Sequence, residues 1–154
     1  QRCPSLPIMQ AVGEALPFAD HTFDAVLMEC TLSLMESDRA LSEAARVLRE
    51  RGFLIITDMY TRDPQDAEAL RGLPIRSCIV GAVSRADLTA RLQKYGFTIS
   101  VWEDHTNALK VFAARLIWEH GSLDQFWTCA TKHDGARFQA AAKPGYCLVI
   151  ARKN

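Results

Sequence analysis

Two apolar runs constrain this chain more than anything else in it. From Phe23 to Cys30, "FDAVLMEC", the apolar residues follow one another instead of alternating with polar ones, and "FLIITDMY", residues 53–60, does nearly the same. A strand with one wet face alternates, so a continuous run fits a strand covered on both faces, as in a parallel sheet. Between the runs, "ESDRALSEAARVLRERG" keeps Leu41, Ala44, Ala45, Val47 and Leu48 at helical period and turns Arg39, Glu43, Arg46 and Arg49 toward solvent. Ser37 or Asp38 is placed to accept hydrogen bonds from the free amides at the helix start, and Gly52 to supply a left-handed turn at its end. Strand, helix, strand in this order is a parallel crossover, almost always right-handed.

The remaining segments extend the same pattern. "LPIMQAV", residues 6–12, reads as a short strand closed by Gly13, with a turn-rich loop through Pro17 behind it. "SRADLTARLQKYGF" is a helix capped by Ser84 and stopped at Gly96, and it feeds the strand "FTISVWEDH". "TNALKVFAARLIWEHGSLDQFWTCATK" places Leu109, Phe112, Ala113, Leu116 and Ile117 on one face of one or two helices broken near Gly121, and "KPGYCLVIARKN" is a turn and a closing strand. Residues 61–83 predict a short surface helix and a loop over the functional face. Helices alternating with buried strands define an open α/β sheet, and 154 residues suit a single domain, 1–154.

Lys plus Arg equals Asp plus Glu at 18 each, so no broad positive field gathers phosphate backbones or anionic lipid. Nucleic acid and membrane surfaces are not expected partners, and the expected compartment is the cytoplasm. Cys3, Cys30, Cys78, Cys129 and Cys147 are odd in number, scattered, and never in a Cys-x-x-Cys pair. That spacing predicts buried free thiols, with neither a disulfide framework nor a metal site.

In open α/β sheets ligands sit beyond the carboxyl ends of the strands. Glu29, Cys30 and Thr31 end one central run, and Asp58, Met59 and Tyr60 end the other, so both sets are expected at the rim of one crevice. Glu29 is the candidate general base there. Asp58 and Tyr60 are candidates to orient a substrate. His105 is a second candidate base, because an ordinary imidazole titrates near neutrality. Asp24 reads as structural, and Glu43 with Arg46 as a pair that anchors a loop.

The combination of Leu16-Pro17-Phe18, Phe23-Asp24 opening a strand, Glu43 followed by Arg46-Val47-Leu48, and Gly52 before the next strand resembles the class I S-adenosylmethionine-dependent methyltransferases. The likeness is to their small-molecule group, which includes the ubiquinone and menaquinone biosynthesis enzymes, and "LQKYGFTISVWED" and "KPGYCLVIARK" extend it. The resemblance implies a Rossmann-like, mostly parallel sheet with an antiparallel last strand, truncated at the N-terminus. It also implies S-adenosyl-L-methionine as cofactor and a small-molecule acceptor. Gly13, Glu14 and Leu16 would contact adenine through backbone and packing, and Glu29, Cys30 and Thr31 would line the methionine end. The family's Gly-x-Gly-x-Gly turn and its ribose-binding acidic residue have no counterpart here, and Val12 stands where an aspartate is common.

In the family's sheet order two strands would lie between "LPIMQAV" and "FDAVLMEC". The latter is therefore expected to present an apolar edge, open to a homodimer or a strand-swapped assembly. A catalytically silent association module is the alternative function, and a thiol or metalloid acceptor served by the cysteines is a third.

Overall fold

Residues 7–72, 77–121 and 144–154 are described in a computed structural model. The strands β1 (Phe23–Glu29) and β2 (Leu48–Thr61) lie side by side and parallel, with Val26 opposite Leu54 and Glu29 opposite Thr57. The helix α1 (Ser37–Val47) joins them, as the crossover pattern requires. Its Ala40, Leu41 and Ala44 are buried with Val26 and Met28 of β1 and Leu54 and Ile56 of β2 in the larger of two apolar clusters, and Val47 is buried as well. Leu41 is fully buried, so Leu41→Ala removes about 2–5 kcal/mol of transfer and cavity free energy.

Two details of this unit differ from the expectation. The N-cap of α1 is Glu36, not Ser37 or Asp38: its longer side chain reaches back to accept from the Arg39 N–H at 3.2 Å, while the Ser37 hydroxyl donates to the Leu32 carbonyl. The left-handed residue after α1 is Arg51, φ 66°, not Gly52. Gly52 is needed for a different reason, since a Cβ there would sit 2.9 Å from the Arg49 carbonyl oxygen and 3.1 Å from the Asp24 carbonyl oxygen of β1.

Beyond β2 come α2 (Asp66–Arg71), the two-residue β3 (Val83–Ser84) and α3 (Arg85–Lys94), whose Ser84 cap accepts from the Asp87 N–H at 3.1 Å. Next are β4 (Phe97–Asp104), α4 (Thr106–His120), which stops at left-handed Gly121, and β5 (Pro144–Lys153). The sheet order is β1-β2-β5-β4, with β3 paired to β2 just past the end of β1. Because β5 is antiparallel to both β2 and β4, four of the five strands point one way and β5 runs against them. This is the expected Rossmann-like, mostly parallel sheet with an antiparallel last strand.

The expected strand over residues 6–12 does not form within the described part of it. Val12 makes one isolated bridge to Ala15, and Ile8 is 95% exposed. No neighbouring strand lies beside it among the described residues to take its amide and carbonyl groups, and an extended segment without such a partner is not a strand. From Gly13 the chain instead descends along α1, held by one ion-paired clasp. The Leu16 N–H donates to Glu43 Oε2 at 2.8 Å, and Arg46 donates to the carbonyls of Leu16 and Phe18 and to Asp20. Glu43 and Arg46 also bond each other, so they anchor this loop as their spacing suggested. The Arg46 guanidinium and the Leu16 amide hold the Glu43 carboxyl down at about 2.

On one side of the sheet α1 and α3 bury Met28, Leu54, Ile56, Phe97 and Val149. On the opposite face α2, residues 79–82 and Leu109 of α4 cover only the end near Met59 and Tyr146. Leu27 on β1 and Phe53 on β2 are 58% and 44% exposed there, and β1 is an edge strand among the described residues. Contrary to the sequence pattern, most of α4 is not core: Phe112 and Ile117 are exposed, and Trp118 is 90% exposed. Phe126 and Trp127, in the second half of that predicted helical stretch, lie outside the described residues.

Candidate active site

The crevice is built where β1 stops. Cys30 takes a left-handed conformation, φ 48°, and its N–H donates to the Thr57 carbonyl at 2.7 Å, which is the last tie between the two strands. The chain then turns through Thr31 into a short 3-10 turn, Leu32–Leu34. Asp58, one residue further along β2, fastens that turn. It accepts from the Ser33 N–H at 2.9 Å, the Ser33 hydroxyl at 2.7 Å and its neighbour Met59 N–H at 2.7 Å. Burial pushes the Asp58 carboxyl up, and the Ser33 and Met59 hydrogen bonds pull against that. The tips of the two strands thus meet at one end of the sheet, as the open α/β rule requires. Asp58 faces inward and holds the turn in place, so a direct contact with substrate is not what the geometry offers.

Tyr60 also departs from the substrate-binding expectation. A Cβ on Gly145 would overlap the Tyr60 ring, so glycine there lets the ring cross β5 and meet Trp102 edge to face, centroids 5.7 Å apart. Its phenol sits by Asp104 and Thr106, and burial raises its pKa. Tyr60 is therefore core. His105 caps α4 and bonds Glu103 Oε2 at 2.9 Å. It lies at the same end of the sheet as Glu29 but at the far edge, three interstrand spacings away, roughly 14 Å. Glu29 and His105 cannot share one proton across that span.

Glu29 is exposed and makes no hydrogen bond or ion pair among the described residues, which leaves its carboxylate available to a ligand. Gly13 and Glu14 sit at the same end. A Cβ on Gly13 would overlap the Met35 sulfur, and Glu14 Oε1 accepts from the Glu36 N–H at 2.9 Å, a bond that lowers its pKa. Leu16 lies further down α1, its amide taken by Glu43.

A further group was invisible in the spacing. The Ser33 carbonyl oxygen would overlap a Cβ on Gly81, so glycine lets residues 77–82 press onto the turn after β1. That approach brings Cys78 to Cys30: one donor atom each of Cys30, Asp58 and Cys78 lie within 4.8 Å of one another. Burial raises the Cys78 thiol to about 11, and the Cys30 thiol lies 3.6 Å from the Tyr146 hydroxyl. Cysteines 48 residues apart carry no motif, and only the Gly81 contact closes the gap.

Residues 1–56 match a family described as "Methyltransferase domain". The chain is 31% identical over 140 residues to phthiotriol/phenolphthiotriol dimycocerosates methyltransferase 1 of Mycobacterium ulcerans, covering 84% of this chain and 51% of that protein. It is 32% identical over 89 residues to the ubiquinone/menaquinone biosynthesis C-methyltransferase UbiE of Hahella chejuensis, covering 53% of this chain and 36% of that protein. In sequence the chain is similar to S-adenosylmethionine-dependent methyltransferases of class I over most of its length.

Among solved structures, the [4+2]-cyclase SpnF shares 27% identity with a TM-score of 0.67, over 93% of this chain and 54% of that one. A geranyl diphosphate methyltransferase in complex with S-adenosylmethionine matches in fold alone, at 13% identity and a TM-score of 0.68, over 94% of this chain and 56% of its own. The chain spans about half the length of the curated methyltransferase it matches over most of its residues. No helix among the described residues is long and apolar enough to cross a membrane.

Proposed function

We propose that this chain contributes the acceptor side of an S-adenosylmethionine-dependent methyltransferase that acts on a small molecule. The observation that supports the reading is that β1 and β2 run parallel and end together, with Cys30 tied to Thr57 there and Glu14 bonded to the Glu36 amide just after the turn that follows β1. The fold by itself does not name the reaction, since a cyclase shares it. Sequence likeness to a methyltransferase over most of the chain supports methyl transfer over the silent alternative.

The residues present fit the cofactor in part. Glu29 offers a free carboxylate for its ammonium group, or for the acceptor proton, and Thr31 and Cys30 line the opening. Gly13, Glu14 and Leu16 form the adenine side by backbone and packing. When bound, the cofactor supplies the electrophilic methyl carbon, so the protein's part is alignment of acceptor and donor. Asp58 serves this indirectly, by fixing the turn that carries Thr31. We further infer that the free edge of β1 pairs with another strand, from a second copy or a swapped segment. Free thiols at Cys30, Cys78 and Cys147 support a reducing, cytoplasmic setting.

Isothermal titration of the chain with S-adenosylmethionine tests the reading. Saturable binding in the micromolar range, weakened at least about tenfold by Glu29→Gln, is expected from loss of a charge-assisted contact. Absence of binding to the folded chain overturns methyl transfer by these residues and leaves the association module standing.

A further inference from the structure

No bond made or broken in methyl transfer calls on Cys30, Cys78 or Asp58, because a sulfonium donor needs neither an enzyme thiol nor a buried carboxylate. Their three donor atoms all lie within 4.8 Å of one another. In a tetrahedral zinc site, bonds of about 2.3 Å to sulfur and 2.1 Å to oxygen put two sulfurs about 3.8 Å apart, and sulfur and oxygen about 3.6 Å apart. Gathering the set therefore requires a contraction of at most about 1.2 Å per pair, within reach of thiol rotation.

Three independent features favour a ligand over simple packing. Cys30 sits at φ 48°, a conformation disfavoured for residues other than Gly, Asn or Asp, and its thiol lies 3.6 Å from the Tyr146 hydroxyl. Both thiols are only half-buried, so one side of the group stays open. Asp58, by contrast, is 3% exposed, and no lysine or arginine pairs with it among the described residues. Its oxygens accept three hydrogen bonds from Ser33 and Met59, and the Leu32 amide acts on it least. Oδ1 takes two of those bonds and Oδ2 one, so a metal would approach from the side of Oδ2.

We propose that Cys30, Cys78 and Asp58 form a site for a divalent thiophilic cation, of which zinc is the type, with its remaining coordination open to the crevice. On binding, each thiol gives its proton to solvent and each sulfur forms one bond to the metal, so no oxidant or reductant enters. The cation offsets the charge of Asp58 and clips residues 77–82 onto the end of β1. An acceptor hydroxyl or thiol reaching its open position would be acidified there. That last role rests on the methyl-transfer reading, whereas metal binding does not, and the experiment reads binding alone.

The test uses the full chain carrying Cys3→Ser and Cys129→Ser, so that Cys30, Cys78 and Cys147 are its only thiols. Zinc affinity is measured by competition with a chromogenic chelator. Cobalt loading is followed by sulfur-to-cobalt charge-transfer absorption, and alkylation of each cysteine by peptide mass spectrometry with and without zinc. One equivalent of zinc, a thiolate–cobalt band, and protection of both Cys30 and Cys78 are expected. Adding Cys30→Ser and Cys78→Ser should remove the band and weaken zinc binding at least about a hundredfold. If that combination does not fold, Cys78→Ala alone, which alters only the loop, should remove protection of Cys30. Zinc affinity unchanged by these substitutions, or equal alkylation of Cys30 and Cys78 with and without zinc, overturns the proposal.

Discussion

Asp58→Ala is the substitution whose cost the structure specifies best. The side chain is 3% exposed and accepts from the Ser33 N–H, the Ser33 hydroxyl and the Met59 N–H. Its removal orphans two backbone donors at about 1–3 kcal/mol each, while the hydroxyl can rotate to another partner. Alanine also relieves the burial of a charge, which offsets part of the loss, so the net effect is a destabilisation of about 2–4 kcal/mol. Asp58→Asn keeps an oxygen for the hydroxyl and Met59 but turns an NH2 toward the Ser33 N–H, and should cost about half as much.

Urea unfolding, followed by far-ultraviolet circular dichroism, measures both variants from midpoint shifts at constant m. The sign of the pH dependence provides a second check. The folded-state pKa of Asp58 is raised above its ordinary 3.8, so its contribution to stability is fully present below that value. It is lost as pH rises through the folded pKa. The deficit of Asp58→Ala relative to wild type should therefore be larger near pH 3.5 than at neutral pH. A loss under about 0.5 kcal/mol, or a deficit that grows with pH, would refute the assignment of Asp58 as the buried anchor of the turn.

The Glu43 carboxyl, held down at about 2 against an ordinary 4.5, contributes stability that is present above 4.5 and disappears as pH falls through 2. Glu43→Gln should thus cost about 1 kcal/mol at neutral pH after solvent screening, and should flatten the acid limb of the stability curve; an unchanged limb contradicts the clasp. If the edge of β1 pairs with another strand, size-exclusion chromatography with light scattering will show concentration-dependent association that Leu27→Glu abolishes, whereas a wild-type monomer at all concentrations removes that idea.

Much of this architecture could be read along the chain because it depends on local periodicity. The continuous run of β1, the helical period from Ala40 to Val47 and the caps at Ser84 and Gly96 each reflect short-range geometry. The Glu43–Arg46 pair followed from helical spacing. Where the reading failed, a partner was missing or distant. The segment before Gly13 has strand-like residues but no strand beside it among the described residues, and Gly52 answers to the Arg49 and Asp24 carbonyls instead of to a left-handed helix end.

The polar tips of β1 and β2 were legible because strand order dictates where they emerge, yet their roles were not. Asp58 looked like a substrate ligand until the Ser33 turn closed over it, Tyr60 until glycine at 145 drew its ring into the core, and His105 until the strand order put it across the sheet from Glu29. Sequence alone therefore determined the crossover unit, the family resemblance and the end of the sheet where the candidate site lies, since each depends on residues near one another in the chain. Tertiary structure alone decided which side chains face the opening and that Cys30 meets Cys78. Those outcomes depend on close approaches, at Gly81 and Gly145, between segments whose separation along the chain carries no signal.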